Sequence, residues 1–255
     1  MSSRRPPLRV DVARTVDCFL GLMASEGGPT LRGLYLVGSV ALGDFRPGRS
    51  DIDFVALLDG PVGDTEALAR VHAALARAGG AFSVEGRLRT GEPCREVNPA
   101  LWRCLARAGR PILGAAPAAL GIADDDATLR AHALADLDAY WRPWIAQGEA
   151  ALAAKPPDSA CDAKTLEWGV LGVSRIVCTL ATGRIVSKRE GGRFVLDHLP
   201  EAHQQAVWDA LDARDGALEH VTPAEMRAGL DAMRFLIDGS PGYQAGAHAP
   251  TSPDR

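Results

Sequence analysis

The chain has 255 residues, one large domain or two small ones, with ample length for a buried core. Its 28 lysines and arginines against 32 acidic residues leave a formal charge of −4, which argues against a protein whose main task is to coat nucleic acid or an anionic membrane. A phosphate-bearing ligand remains open, because such a site needs only a few local cations. The five cysteines, Cys18, Cys94, Cys104, Cys161 and Cys178, include no C-x-x-C pair and are odd in number. The start, residues 1–7, lacks the apolar core of a secretory signal, and the longest apolar stretch, 169–183, is broken by Arg175 and too short to span a bilayer. These features predict a soluble, cytoplasmic, monomeric chain with reduced thiols and with neither nucleic acid nor membrane as partner.

Apolar residues at Val12, Val16, Phe19, Leu20 and Met23 have helical spacing and predict a helix over 10–23, stopped by Gly27, Gly28 and Pro29. The run Leu34-Tyr35-Leu36-Val37 predicts a buried strand that feeds a turn at Gly38-Ser39. A Gly-, Pro- and Arg-rich loop over 43–50 leads to a second strand, 51–58, and a helix over 65–77 follows, with Leu68, Val71 and Leu75 on one face. Short candidate strands at 81–85 and 95–98 precede a helix at 99–108, and the Pro/Ala/Gly-rich run 109–126 reads as a connector. From there the pattern is helical: 129–150, 163–181, 200–214 and 223–237, before a Gly/Pro/Ser-rich end. The expected organisation is an α/β half over 1–122, an all-helical half over 123–240 and a disordered tail over 241–255.

The chemistry concentrates in Gly38-Ser39-Val40-Ala41-Leu42-Gly43-Asp44, followed after a short loop by Asp51-Ile52-Asp53. A Gly-Ser pair after a buried strand lets backbone approach a ligand, and its amides and hydroxyl can hold phosphate oxygens. On a strand, residues i and i+2 share a face, so Asp51 and Asp53 are expected side by side. Two carboxylates that close repel unless a cation lies between them, and a hard divalent ion such as Mg²⁺ is the natural one. A Gly-Ser phosphate cradle facing such a pair suits phosphoryl or nucleotidyl transfer. The alternative for each feature alone, a solvated D-x-D or an ordinary turn, weakens when both occur in this order.

Gly38-Ser39, Gly43 and Ser50-Asp51-Ile52-Asp53 resemble the signature of the nucleotidyltransferase superfamily, the fold shared by DNA polymerase beta and kanamycin nucleotidyltransferase. In the second half, 171–176 (LGVSRI), 181–188 (ATGRIVSK) and Leu199-Pro200 resemble the C-terminal helical domain of the streptomycin/spectinomycin adenylyltransferases. The resemblance covers roughly residues 9–238. It implies an α+β polymerase beta-like domain with a mixed sheet, followed by an all-α helical bundle. It also implies transfer of AMP from Mg-ATP to a hydroxyl of a small molecule, an aminoglycoside-type antibiotic first, with release of pyrophosphate. Carried over by motif, Gly38, Ser39 and Ser50 would hold the triphosphate, Asp51 and Asp53 would ligate the metal, and Lys188 would reach a phosphate from the helical half.

Lys188 also stands out without the resemblance, as one of three lysines with Lys155 and Lys164 in a chain that otherwise uses arginine. A compact ammonium on a flexible stem suits a phosphate, and a solvated helix-end lysine is the plain alternative. Its side chain is expected to be exposed and to contribute little packing, so that Lys188→Ala would weaken ATP binding and leave the fold stable. Arg175, in an apolar helix, needs a buried partner, either a nucleotide phosphate or a structural carboxylate. The superfamily's proton acceptor, a third carboxylate on a later strand, has no clear counterpart: Glu85 is the candidate base, or else an exposed turn glutamate, and Glu96 is the other acid nearby. Without it the chain would be a nucleotide-binding pseudoenzyme or sensor. For a cationic acceptor, Asp158, Asp162, Glu167 and Trp168 lie near the start of the helix that holds Arg175, while Trp102, Trp141 and Trp144 read as packing.

Overall fold

The computed structural model describes residues 7–59, 65–79 and 98–242. The candidate strands at 81–85 and 95–98, Glu85, Glu96 and the tail beyond 242 lie outside the described residues. Two compact units result: one takes Cys104–Ile122 with the described residues before 98, the other Asn98–Arg103 with the described residues from Ala123 on.

In the first unit, α1 (Val10–Ser25) buries Val12, Val16, Phe19 and Met23 and ends at Gly27, whose φ of +71° suits a residue without a side chain. Its buried face meets α3 (Thr65–Gly79), which contributes Ala67, Val71 and Leu75. The sheet has the order β2-β1-β3, with β1 (Leu31–Leu36) central and antiparallel to both β2 (Phe54–Leu58) and β3 (Arg110–Leu113). The central strand is buried on both faces from Gly33 on, and the Tyr35 hydroxyl donates to the Ala115 carbonyl at 3.0 Å. Phe19 meets Phe54 with ring centroids 5.0 Å apart, which ties α1 to the sheet. The segment 109–126, expected as a connector, holds β3, where Pro111 lies opposite Tyr35 and β3 stands at the edge of the sheet among the described residues, a place that tolerates proline. The three described strands of this unit pair antiparallel, which departs from the mixed sheet that the resemblance implied.

The second unit is helical. Its axis is α7 (Ala163–Thr182), thirteen of whose twenty residues are buried. Asp162 caps its start by accepting from the Lys164 amide at 2.8 Å, and Gly183, at φ +69°, ends it. Packed on it are α8 (Lys188–Leu196), α9 (Glu201–Asp215) and α10 (Pro223–Gly239), the last opened by a Thr222/Glu225 capping box. The expected single helix over 129–150 divides into α5 (Asp126–Asp136), a π-helical turn over Leu137–Trp141 and α6 (Arg142–Ala153). Pro143, at the start of α6, lacks the N–H that would continue an α-helix through this turn. Two short strands, β4 (Cys161–Asp162) and β5 (His220–Val221), pair beside the start of α7. Among the described residues no helix is long and apolar enough to cross a membrane.

Candidate active site

In the first unit the site grows from the end of the central strand. After Leu36 the chain leaves the sheet, and Gly38 adopts φ +55°, a left-handed conformation that other residues rarely take. The Asp53 carboxylate packs directly on the Gly38 α-carbon: a Cβ built there would overlap Asp53 Oδ2 and stand 2.8 Å from Asp53 Cγ. Only glycine fits under this carboxylate. The Val37 N–H donates to the Asp53 carbonyl at 3.0 Å, which fixes the two segments against each other.

Asp51 and Asp53 stand immediately before β2, whose ladder with β1 begins at the Leu36–Phe54 pair, and not on the strand itself. The chain on the other side turns into the short helix α2 (Gly38–Ala41), so the strand pairing gives way after the Val37–Asp53 hydrogen bond. Alternation nevertheless persists: Ile52 is buried, Asp51 exposed and Asp53 half-buried, so the two acids flank an inward apolar residue.

The Ser39 hydroxyl oxygen is buried and has no hydrogen-bond partner among the described residues. A buried hydroxyl in that condition costs free energy unless a ligand or water satisfies it, about 1–3 kcal/mol. Around it, the Asp44 amide donates to the Ser39 carbonyl at 2.9 Å, and the buried Asp44 carboxylate lies 3.7 Å from the Arg46 guanidinium. Ser50 closes the loop from the far side: its hydroxyl accepts from the Arg46 amide at 3.0 Å, and its amide donates to the Arg46 carbonyl at 2.8 Å. The structure therefore gives Ser50 a loop-closing job. Among the described residues no three or more acids, histidines or cysteines cluster, and Glu85, the expected third carboxylate, lies outside them.

The helical unit brings together residues far apart in sequence. Lys188 opens α8 behind its N-cap Ser187, which accepts from the Glu190 amide at 3.1 Å. Its ammonium lies 3.1 Å from Glu167 Oε1 on α7 and 5.0 Å from the centre of the Trp168 ring. Arg214, on α9, donates to the same Glu167 oxygen at 3.0 Å. Glu167 and Arg214 are buried, and only 16% of the Lys188 side chain is exposed. The expectation of an exposed lysine is thus corrected, because the ion pair and the indole face cover it.

Burial pushes the Lys188 ammonium below the ordinary lysine range; Glu167 opposes this, while Arg175 and Arg214 reinforce it. Glycines make the approach possible. A Cβ on Gly191 would stand 2.6 Å from the Arg175 α-carbon, and one on Gly192 2.8 Å from Leu171, so α8 lies directly on α7.

Arg175 is exposed and the neighbouring Ile176 half-buried, between Ser174 and Val177, both fully buried. Of the acceptor candidates, Asp158 and Asp162 are exposed, Glu167 is committed to its two cations, and Trp168 is 47% exposed. Trp141 is buried and packs edge-on to Trp144 at 5.8 Å. Sequence reasoning missed Arg214 and the role of Glu167. The available signal was a lone acid and a lone arginine in otherwise apolar helix faces, which implies pairing but not with whom.

Two family models match the chain: a nucleotidyltransferase domain over residues 23–94, and the C-terminal domain of aminoglycoside adenylyltransferase over residues 149–234. No curated protein matches it. Among solved structures it is similar in fold to spectinomycin adenyltransferase AAD(9) from Enterococcus faecialis, crystallised with ATP and spectinomycin. The identity is 15%, the TM-score 0.63, and the match covers 89% of this chain and 98% of that one.

Proposed function

The chain belongs among the aminoglycoside adenylyltransferase-like nucleotidyltransferases, and from that premise we propose that it transfers AMP from Mg-ATP to a hydroxyl of a small molecule, an aminoglycoside or aminocyclitol antibiotic first. The observation that supports this most is the left-handed Gly38 under the Asp53 carboxylate, next to the buried Ser39 hydroxyl, which has no partner among the described residues. The donor set fits a hard cation: Asp51 and Asp53 offer carboxylate oxygens, and the glycine leaves backbone room beside them. These two residues would hold Mg²⁺, which when bound supplies charge neutralisation for the phosphate oxygens.

Gly38 and Ser39 would orient the triphosphate, and Lys188 and Arg175 would supply cationic contacts to it. Glu85 is proposed as the base: the acceptor hydroxyl oxygen forms a bond to the α-phosphorus, the bond to the bridging oxygen of the β-phosphate breaks, pyrophosphate leaves, and the hydroxyl proton passes to Glu85. An acidic chain with Asp158, Asp162 and the half-exposed Trp168 at the start of α7 suits a cationic acceptor. We read the protein as a cytoplasmic monomer.

A panel of aminoglycosides, aminocyclitols and lincosamides incubated with labelled ATP tests the reading. Label transfer with pyrophosphate release is expected for at least one aminocyclitol, and the double change Asp51→Asn, Asp53→Asn should lower it by about 10³-fold or more. No transfer to any member of the panel, with ATP still bound, would defeat the antibiotic reading.

A further inference from the structure

We propose that Glu167 is a positioning residue for nucleotide binding: it holds the Lys188 ammonium in place, and Arg214 in turn holds Glu167. The proposal deepens the functional reading above and rests on it, since it takes Lys188 as a phosphate ligand. Three helices meet at one carboxylate oxygen, with the Lys188 ammonium at 3.1 Å from α8 and the Arg214 guanidinium at 3.0 Å from α9. Glu167 is 5% exposed and Arg214 4%, so neither pairs at the surface, where such contacts contribute little. The Trp168 ring confines the ammonium from another side.

A free lysine stem loses several rotamers when it grips a phosphate. Here Glu167 and Trp168 have already removed that freedom, so less remains to be lost on binding. Glu167 could instead act as a competitor that neutralises Lys188, and the two roles differ in sign. A competitor's removal tightens anion binding, whereas a positioning residue's removal weakens it even though the site becomes more positive.

The charge state of Lys188 offers a second readout. The groups that face it are Glu167 and Arg175 on α7 and Arg214 on α9, with Arg189 and Glu190 following it on α8. Burial and the two arginines favour loss of its proton, and Glu167 alone among the three facing groups opposes that loss. A phosphate contact from Lys188 is present below its pKa and lost as pH rises through it. Removing Glu167 should therefore bring the alkaline loss of ATP affinity to lower pH. Removing Arg214 takes away a like charge and leaves Glu167 to Lys188, so the same loss should move to higher pH.

The test measures Mg-ATP affinity of the full chain over about pH 7–10, with thermal unfolding run on each variant. Lys188→Ala and Glu167→Gln should each weaken binding by roughly tenfold at neutral pH. Glu167→Gln and Arg214→Gln should shift the alkaline limb in opposite directions, and Lys188→Arg placed on Glu167→Gln should abolish it, because a guanidinium stays charged. Binding by Glu167→Gln as tight as or tighter than the parent overturns the proposal, as do limbs that shift the same way. If Lys188→Ala binds ATP unchanged, the assignment of Lys188 to the nucleotide fails and the positioning role falls with it. If Lys188→Ala weakens binding and Glu167→Gln does not, only the positioning role is overturned. Should Glu167→Gln fail to fold, the direction of the Arg214→Gln limb decides alone: upward supports the proposal, and any other result overturns it.

Discussion

The Gly38–Asp53 segment and the Lys188–Glu167–Arg214 cluster are both polar arrangements set in apolar units, yet they are built in different ways. The first uses residues within sixteen positions of one another, and its decisive feature is backbone: a left-handed glycine covered by a carboxylate. The second joins residues up to 47 positions apart, and its decisive feature is packing, with two glycines of α8 seated on α7. Chemistry made from a turn can be read as a motif. Chemistry made from helix contacts is read only when the helices are in place, because the partner of a buried charge is chosen by geometry.

The sharpest way to break this contrast is Gly38→Ala. The new methyl group would need a left-handed conformation and would collide with Asp53, so stability should fall by about 1–3 kcal/mol. Turnover should fall further, by about 10²-fold, because the displaced carboxylate belongs to the proposed metal pair. Chemical denaturation and steady-state rates measured together check this, and an active, stable Gly38→Ala protein would show that the turn is not under the constraint described.

Gly191→Ala is the matching change in the helical unit. Its methyl group meets the Arg175 backbone, so α8 must lift from α7, at a cost of about 1–3 kcal/mol. ATP affinity should fall with it, because Lys188 opens the same helix, whereas binding by the Asp51 and Asp53 side is left alone. A drop in melting temperature with unaltered ATP affinity would separate the packing of α8 from the placing of Lys188.

The smallest effect concerns Cys178, buried on α7. Burial pushes its thiol up to about 11, from an ordinary value of 9.0. The unfolded chain loses this proton first, so the folded state binds more protons over that interval and stability declines as pH rises from about 9 towards 11. Cys178→Ala should flatten that part of the stability–pH curve, measured by urea titration, and the native thiol should resist alkylation at neutral pH.

Much of the fold was legible because its signals are local. The apolar spacing of Val12, Val16, Phe19 and Met23 marks α1, and 99–108 is α4 (Pro99–Ala108) as expected. The helical pattern gave α7, α9 and α10 to within a few residues. The misses have physical causes. Strand β3 contains Pro111 and is too short for a period-two pattern to register. Helix α8 contains two adjacent glycines, which lower helix propensity, although Ser187 with Glu190 three residues later is a helix-start pattern.

By itself the sequence determined the division into an α/β half and a helical half, and the Gly-Ser and D-x-D residues that point to nucleotidyl transfer. These rest on hydrophobic periodicity and turn chemistry, which neighbours along the chain dictate. Only the tertiary structure decided that Asp51 and Asp53 precede β2, that Ser50 closes a loop, that Arg175 faces outward, and that Lys188 and Arg214 share the buried Glu167 carboxylate. Each of these depends on which surfaces of separate elements meet, and the burial of a charge is settled by the partner that lies within about 3 Å of it in space.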